Sequence, residues 1–247
     1  MTKLSVNINK VAHLRNTRHL EIPSVVGLAR TCLEAGAAGI TIHPRPDERH
    51  IRATDIPPLC ALLNESQYAD CEFNIEGNPF EGRYLQHIKA SKPDQCTLVP
   101  DDPNAFTSNA GWKVSQNLDR LKEIVAELKK YSSRVSLFMD ADPDEIALAA
   151  QTGADRIELY TEPYADAFGS SNQGAVTTQF TAAAQAASAV GLDINAGHDL
   201  NLHNLGHFLT HVPGVLEVSI GHALIADALS LGMTETVKAY LSITNAT

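Results

Sequence analysis

Residues 34–43 read Glu-Ala-Gly-Ala-Ala-Gly-Ile-Thr-Ile-His, and this stretch contains the unit on which the fold is built. A helical pattern ends at a glycine, which tolerates the left-handed backbone that closes a helix. An apolar run follows within a few residues and ends in a histidine. The same joint recurs at Gly153 before residues 154–159 and at Gly191 before residues 192–195. The repetition predicts successive helix–strand units along the chain.

Eight apolar runs of this kind are predicted to be strands, at residues 4–9, 38–43, 71–76, 95–100, 134–140, 156–161, 192–198 and 215–222. Helical periodicity lies between several of them, at residues 25–35, 118–130, 145–151 and 178–190. We expect buried parallel strands to stay apolar. Polar residues at the end of nearly every run therefore indicate a ligand site at the C-terminal ends of the strands.

The alternation of strands and helices predicts an α/β protein, a (β/α)8 TIM barrel with a few extra helices, as one domain over residues 1–247. A length of 247 residues suits one such barrel. A doubly wound open sheet is the alternative. It is disfavoured because no Gly-x-Gly-x-x-Gly follows the first strand and the polar ends are spread over all strands.

Local signals add helix starts and loops to this outline. Pro23 is predicted in the first turn of a helix, and Asp142 is predicted as a cap before a first-turn proline. Two polar stretches, residues 100–112 and 162–174, are predicted to be long loops after strands four and six, where binding or gating residues are common.

Composition limits the partners of the protein. A net charge of −10 argues against nucleic acid or an anionic membrane surface as partner. Lysine and arginine nevertheless outnumber the acids in residues 1–52, which favours a small anionic ligand there. The sequence contains no run of about 18 apolar residues and no secretion signal, so we expect a cytoplasmic protein with no membrane span. Its four cysteines form no Cys-x-x-Cys pair and are expected to be reduced packing residues.

Histidine and glutamate side chains at the strand ends are candidates for proton transfer. His43, Glu76, His198 and His222 follow four different predicted strands. Imidazole titrates near neutral pH, and burial can bring a carboxyl group into the same range. Metal ligation is the competing use of these residues. It is the weaker reading because no His-x-His follows the first strand and no His-Glu-x-x-His occurs.

Basic and glycine-rich segments at the same ends predict phosphate binding. Arg15 and Arg18 follow the first strand, and several basic residues follow His43. Arginine offers a rigid fork of donors for phosphate. Gly197 and Gly221 each precede a histidine after strands seven and eight, where barrels commonly bind phosphate through backbone N–H groups. Two anion-binding regions would suit two phosphorylated substrates.

Seven strings in this order give the chain a specific resemblance to a known family. They are Leu14-Arg15-Asn16-x-Arg18, Gly39-Ile-Thr-Ile-His-x-Arg45 with Arg49-His50-Ile51, Phe73-Asn74-Ile75-Glu76, Leu98-Val99-Pro100, Val135-Ser-Leu-Phe138-x-Asp140-Ala-Asp142, Asn195-Ala-Gly-His198 and Ile220-Gly221-His222-Ala223. The chain resembles the pyridoxine 5'-phosphate synthase family from Val6 to His222, nearly its whole length.

The resemblance implies an enzyme of vitamin B6 synthesis that joins 3-amino-2-oxopropyl phosphate to 1-deoxy-D-xylulose 5-phosphate. Its products would be pyridoxine 5'-phosphate, inorganic phosphate and water. The family works as a homo-octamer of TIM barrels without a metal or an organic cofactor. By resemblance, His43 and Glu76 would be general bases, His198 a general acid, and Glu158 would stabilise charge in a transition state.

The resemblance also implies two groups of substrate-binding residues. Those for the aminoketone phosphate would be Asn7, Arg18, Gly221 and His222. Those for the deoxyxylulose phosphate would be Arg45, His50 and Thr107, under a closing loop after strand four. Three further binding positions depart from the common family pattern: Asn9 and Lys10 replace Asp-His, and Asp199 replaces glycine.

Two other functions remain open from the residues alone. One is a TIM-barrel lyase or epimerase acting on a single sugar phosphate, with a divalent metal on His43, Glu76 and His198. The other is a catalytically silent barrel that binds phosphorylated metabolites, which the changes at residues 9, 10 and 199 would favour.

Overall fold

A computed structural model of the chain describes residues 1–102 and 107–246. In these residues eight parallel strands pair in chain order and close into a barrel, with Ser5 of the first strand opposite Ser219 of the last. Strands β1 to β8 are Lys3–Asn7, Gly39–Ile42, Glu72–Gly77, Gln95–Leu98, Arg134–Met139, Arg156–Tyr160, Asp193–His198 and Val215–Ile220. The predicted TIM barrel is confirmed.

Eleven α-helices surround the barrel in the described part of the chain. Helices α1 to α11 are Asn9–Asn16, Val25–Glu34, Ile56–Leu63, Tyr84–Ser91, Val114–Leu128, Pro143–Ala149, Glu162–Ala167, Gln173–Ala189, Leu205–His211, His222–Leu231 and Met233–Thr244. Short 3-10 helices lie at Ala53–Asp55, Ser66–Tyr68 and Ala150–Thr152. Second helices after β1, β6 and β8 account for the extra helices that the sequence predicted. No helix in this described part is long and apolar enough to cross a bilayer.

The repeated glycine joints adopt the backbone that the sequence predicted. Gly36, Gly153 and Gly191 have φ values of 106°, 82° and 78°, a region that side-chain-bearing residues seldom occupy. Asp142 caps α6 by accepting hydrogen bonds from two backbone N–H groups of its first turn. These local signals fix where a helix ends and the next strand begins.

The prediction for Pro23 was wrong. Helix α2 begins at Val25, and the Ser24 hydroxyl caps it by accepting the N–H of Gly27 at 3.0 Å. Pro23 therefore lies before the cap and outside the helix. The serine is the better cap because its side-chain oxygen satisfies an N–H group of the first turn.

The loop predicted at residues 162–174 was also wrong in part, because α7 fills its first half. The buried ring of Tyr164 in α7 packs against Phe180 and Phe208, with ring centroids 5.9 and 4.9 Å away. Burial of this aromatic residue stabilises a turn of helix that the polar composition concealed. In the other predicted loop, 100–112, residues 103–106 lie outside the described residues, so the closing of this loop stays a prediction.

The expectation of uniformly apolar strands was wrong as well. Polar and apolar residues alternate strictly in Glu72–Glu76 of β3, and both sets are buried. The Asn195 amide donates to Gln95 Oε1 at 3.4 Å, and the Arg134 guanidinium contacts the Glu72 carboxylate. Each pair joins strands that are not neighbours, so these side chains cross the inside of the barrel. The polar face of the sheet thus points to the barrel axis.

The apolar face of the same strands points outward and forms the core with the helices. Ile40 and Ile75 belong with Leu59 and Leu62 of α3 to one buried cluster. Burial of each such side chain contributes roughly 1.5–3 kcal/mol to folding. The barrel is therefore held by the layer between sheet and helices, while its interior can carry polar groups toward the site.

Candidate active site

A cavity of about 280 Å³ lies at the C-terminal ends of the strands. Of the fourteen site residues predicted from the sequence, the cavity lining contains Asn7, Asn9, Lys10, His43, Arg45, His50, Glu76, Thr107, Glu158, His198, Asp199, Gly221 and His222. These residues come from the ends of β1, β2, β3, β6, β7 and β8 and the segments that follow them, together with Thr107 after β4. The barrel thus gathers polar groups that are distant in sequence around one space.

His43 and Glu76 lie side by side in the lining of this cavity. His43 Nδ1 lies 3.7 Å from Glu76 Oε2, and both residues are buried. Asn7 Nδ2 donates to the same glutamate oxygen at 3.3 Å. The backbone N–H of His43 donates to Asn9 Oδ1 at 2.9 Å. Residues at the end of β1 therefore fix the two groups that the sequence predicted as bases.

Burial raises the pKa of Glu76 well above its ordinary value, and the nearby acids Glu158, Asp101 and Glu217 raise it further. A carboxyl group in water is ionised at neutral pH and is a weak base. Raising its pKa makes the carboxylate a stronger base and gives the protonated form a share of the population. Glu76 is therefore suited to exchange a proton.

Asp101, directly after β4, was not predicted from the sequence and binds two of the predicted residues. Its Oδ2 atom lies 3.1 Å from His43 Nε2, 2.8 Å from Arg45 Nη2 and 3.3 Å from Arg45 Nε. Burial raises the pKa of Asp101, but His43 and Arg45 outweigh it and hold the pKa well below its usual range. Asp101 is therefore an ionised carboxylate.

His50 is a neutral hydrogen-bond donor. Burial lowers its pKa to about 2, and the electrostatic influence of His43 and Arg45 acts in the same direction. Its Nδ1 atom accepts the backbone N–H of Ile51 at 3.0 Å. In a neutral imidazole the other nitrogen then carries the proton. His50 can donate this Nε2–H to an anion in the cavity without bearing a charge.

His198 ends β7 with its ring held on both nitrogens. Nε2 lies 3.0 Å from the Thr107 hydroxyl, and Nδ1 contacts the Asp199 carboxylate. The ring edge also meets Tyr160, with centroids 5.4 Å apart. The φ angle of His198 is +102°, which costs a residue with a side chain about 1–3 kcal/mol. Such strain is typical of functional positions.

Glu158 reaches the cavity from inside the barrel. Burial raises its pKa to about 7, although His198 and a hydrogen bond from Thr97 act against this. The glycine at position 197 permits this packing. A Cβ atom there would stand 2.8 Å from the Ser219 carbonyl oxygen and would collide with the Glu158 carboxylate. Glu158 can therefore be charged or neutral near pH 7.

Arg18 is the one predicted site residue that does not line the cavity among the described residues. It lies exposed just beyond α1, where its backbone N–H donates to the carbonyl of Arg15 at 3.2 Å. Arg15 itself is buried and donates to Asp55 Oδ2 at 2.9 Å. Arg15 is thus part of the packing around α1, and the role of Arg18 stays a prediction.

The sequence matches the family described as "Pyridoxal phosphate biosynthesis protein PdxJ" over residues 4–246. The chain belongs to the PdxJ family. It is 54% identical over 244 residues to the pyridoxine 5'-phosphate synthase of Albidiferax ferrireducens, covering 97% of this chain and 96% of that protein. It is 52% identical over 240 residues to the pyridoxine 5'-phosphate synthase of Porphyromonas gingivalis, covering 97% and 98%. The expected family is therefore confirmed, and so is the expected function as a pyridoxine 5'-phosphate synthase.

Solved structures outside the PdxJ family share the fold. A thiamine phosphate pyrophosphorylase from Pyrococcus furiosus superposes with a TM-score of 0.64 at 16% identity, covering 99% of this chain and 96% of that one. Phosphoribosyl anthranilate isomerase from Thermotoga maritima superposes with a TM-score of 0.63 at 11% identity, with full coverage of both chains. At these identities the similarity shows the barrel fold alone.

Two of the three positions expected to depart from the family pattern carry short contacts to predicted catalytic side chains or their backbone. The Asn9 side-chain oxygen accepts a hydrogen bond from the backbone N–H of His43, and the Asp199 carboxylate contacts the ring of His198. Both side chains are thus engaged within the site. The third departure, Lys10, lines the cavity near His13, another lining residue that the sequence did not single out.

In residues 1–102 and 107–246, no group of three or more His, Cys, Asp or Glu side chains is placed to hold a metal ion. The alternative set of His43, Glu76 and His198 is accordingly not arranged as metal ligands in this structure.

Glu217 inside the barrel gives a prediction about stability. Burial, together with the charge of Glu72, raises its pKa to about 8 from an ordinary value of 4.5. A raised pKa contributes stability that is present below pH 4.5 and lost as pH rises through 8. Glu217→Gln should therefore stabilise the protein more at pH 8.5 than at pH 5, by up to about 4 kcal/mol.

Urea unfolding at the two pH values measures this difference. The matched control is Glu34→Gln, which changes an exposed acid on α2 and should shift stability equally at both pH values. An equal free-energy change for Glu217→Gln at pH 5 and pH 8.5 would show that Glu217 is ionised throughout.

Proposed function

We propose that the chain condenses 3-amino-2-oxopropyl phosphate with 1-deoxy-D-xylulose 5-phosphate, giving pyridoxine 5'-phosphate, inorganic phosphate and water. The proposed chemistry is general acid–base catalysis without a metal or an organic cofactor. Membership of the PdxJ family and the names of its relatives support the reaction. The observation that carries the chemistry is the convergence of His43, Glu76 and His198 on one cavity.

The deoxyxylulose phosphate binds at the β2 side of the cavity. Arg45 supplies a guanidinium group, and His50 adds a neutral N–H donor. Lys10 and Thr107 line the same cavity. Charged donors bind phosphate strongly, and the arginine fork also fixes the orientation of the phosphate.

The aminoketone phosphate binds at the beginning of α10. Gly221 lies just before this ten-residue helix and His222 is its first residue. The N–H groups of a helix N-terminus are unpaired and attract anions. Asn7 lies against Gly221, where a Cβ atom would meet the Asn7 side chain at 3.2 Å. Only a small residue at 221 leaves the backbone open to phosphate. The backbone N–H of Asp199 donates to Thr161 Oγ1 at 3.4 Å, so a contact of Asp199 with substrate stays a prediction.

Several proton transfers separate the two substrates from an aromatic ring. The neutral amine attacks the ketone, water leaves, and proton removal converts the imine to an enamine. Phosphate is then expelled and water supplies the hydroxyl group on the carbon that it leaves. A carbon–carbon bond closes the ring, and further loss of water with proton removal gives the pyridine. His43 and Glu76 remove protons, and each positioned group contributes on the order of 10²–10⁴-fold.

His198 and Glu158 serve the opposite half of the reaction. His198 donates protons to the departing oxygen atoms from the β7 side, with its ring held by Thr107 and Asp199. Glu158 offers a buried carboxyl group that stabilises positive charge on the imine. Two fixed phosphates hold the reactants in near-attack geometry, which supplies on the order of 7–11 kcal/mol.

Mixing the purified protein with both proposed substrates tests the reaction. We expect pyridine-ring absorbance to rise together with phosphate release, one phosphate for each ring, and to be unchanged by a chelator. Omitting either substrate is the control. Turnover of one sugar phosphate alone, abolished by the chelator, would indicate the lyase or epimerase. Binding of both substrates without product would indicate the silent barrel.

Arg18→Ala tests the one proposed phosphate ligand that lies outside the cavity lining. We expect the Kd of the aminoketone phosphate to rise about tenfold because a charged donor to phosphate is lost. The melting temperature should hardly change, since Arg18 is exposed. Calorimetric titration measures the Kd, and the deoxyxylulose phosphate serves as the control ligand. An unchanged Kd would show that Arg18 is a surface residue.

We also propose that the whole chain folds as one barrel domain, acts in the cytoplasm and assembles as a homo-octamer. The uninterrupted strand–helix order supports one domain. Family resemblance supports the octamer. Analytical ultracentrifugation should find a particle of eight times the chain mass, and a monomer at micromolar concentration would contradict it.

A further inference from the structure

We propose that Asp101 is a positioning residue, which fixes His43 in the tautomer needed for proton removal and aims Arg45 at the substrate phosphate. The inference rests on the proposed function, because it assigns a task to His43 and Arg45 in that reaction. Asp101 lies directly after β4 and belongs to none of the strings that carry the family resemblance.

The first observation is that three nitrogen atoms converge on one carboxylate oxygen. Asp101 Oδ2 accepts a hydrogen bond from Arg45 Nε at 3.3 Å and makes ion-pair contacts with Arg45 Nη2 at 2.8 Å and His43 Nε2 at 3.1 Å. All three side chains are buried. Charge-assisted contacts of this kind are strong and directional when water is excluded.

The backbone of Asp101 is itself held in place by the segment after β3. Asn78, which follows β3, donates from Nδ2 to the Asp101 carbonyl at 2.9 Å. Its own Oδ1 atom accepts the N–H of Phe80 at 3.0 Å. The segment after β3 thus fixes the first residues after β4, and Asp101 is presented to His43 from a defined position.

The second step concerns the protons of His43. An ionised carboxylate can only accept a hydrogen bond, so the contact with Asp101 requires a proton on His43 Nε2. The Nδ1 atom then carries the lone pair in the neutral ring. Nδ1 is the nitrogen that lies 3.7 Å from Glu76 Oε2, and both residues line the cavity. Asp101 therefore directs the basic nitrogen of His43 toward the reacting atoms.

The same carboxylate orients Arg45. The hydrogen bond from Nε, with Nη2 2.8 Å from the same oxygen, holds one edge of the planar guanidinium group. This contact sets the plane in which Arg45 meets a phosphate. One buried acid thus couples the proposed base to the proposed phosphate site.

A competing account gives Asp101 the opposite effect. If its carboxylate only occupied the phosphate site of Arg45, the substrate would have to displace it. Removing the charge would then tighten binding of the sugar phosphate and leave the rate constant unchanged. The positioning role predicts a loss in kcat, so the two accounts differ in which kinetic constant responds.

Kinetics of Asp101→Asn and Asp101→Glu, with both substrates, form the first test. We expect Asp101→Asn to lower kcat about 100-fold, the size of a typical general-base contribution. The KM of the deoxyxylulose phosphate should rise because Arg45 loses its orientation, while the KM of the aminoketone phosphate stays within about threefold. Asp101→Glu restores the carboxylate and should recover at least about tenfold of that loss. Asp119→Asn, an exposed acid on α5, is the matched control and should have the wild-type rate.

Nitrogen NMR of the histidine-labelled protein is the second test and needs no turnover. In the wild type we expect the His43 signals of the Nε2–H tautomer, assigned by their loss in His43→Asn. In Asp101→Asn we expect a mixture of tautomers, because an amide can present either its oxygen or its NH2 group. The dispersed spectrum also reports whether the variant is folded.

Two results would overturn the role of Asp101. One is a wild-type kcat in Asp101→Asn, with or without a lower KM for the sugar phosphate. The other is a His43 tautomer that is unchanged by the substitution. Failure of the wild type to make product would instead reject the proposed function, and the NMR result would still decide the orientation of His43.

Discussion

Replacing Glu76 by glutamine lowers kcat by about 10³-fold and leaves the Kd values of both phosphate esters within about twofold. The amide keeps the shape of the side chain and can still contact Asn7, but it cannot take up a proton. Glu76 lies beside His43 in the cavity lining, and burial raises its pKa. No other residue at the end of β3 can replace this base. The loss should therefore fall on the chemical step alone.

Rapid-quench single turnovers and calorimetric titrations separate the two effects. Glu123→Gln, an exposed glutamate on α5, is the matched control and should have the wild-type kcat. A wild-type rate in Glu76→Gln would remove Glu76 as a base. A large rise in both Kd values would show that its part is in binding.

The second large effect is expected for His198→Asn, which should lower kcat by about 10²–10³-fold. Asparagine is the informative substitution because it tolerates a positive φ, and the backbone of His198 has φ of +102°. The variant should therefore fold, while its side chain cannot protonate a departing oxygen. The contacts of Thr107 and Asp199 with the imidazole ring would both be lost.

Steady-state kinetics and the melting temperature of His198→Asn are compared with those of His203→Asn. His203 is an exposed histidine shortly after β7, and its loss should leave kcat unchanged. Equal rates in the two variants would show that His198 is not the acid. A melting temperature far below that of the wild type would instead point to a structural part in the barrel.

The fold was predictable because its signals are local. The glycine joints at residues 36, 153 and 191 repeat a helix end followed by a strand, and each has the expected left-handed backbone. Each predicted strand begins within one residue of the observed strand. The main errors were the helix start predicted at Pro23 and the loop predicted where α7 lies. Those errors arose because Ser24 competes as a cap and because Tyr164 gains its stability from distant rings.

The membership of the site was also largely predictable. Residues at the ends of parallel strands must meet at one mouth of a barrel, whatever their distance in sequence. His43, Glu76 and His198 were expected there and line one cavity. Their roles rest on the chemistry proposed for them, since a strand end fixes a position and not a function.

The partners of these residues could not be predicted, because they depend on distances between side chains. Asp101 is one of several acids in a polar loop, and only the folded chain shows its contacts with His43 and Arg45. The neutral state of His50 follows from burial and from the N–H of Ile51. The polar interior of the barrel was not predicted. Polar and apolar residues alternate along the whole of β3, but the prediction drew only on the polar residues at the end of the strand.

A crystal structure with pyridoxine 5'-phosphate and inorganic phosphate bound would test the central claim most directly, because these are the two phosphorus-containing products. We predict the pyridine ring between His43, Glu76 and His198. One phosphorus atom should lie at Arg45 and His50, and the other at the beginning of α10. A ring bound outside the cavity, or a single phosphate position shared by both products, would contradict the account.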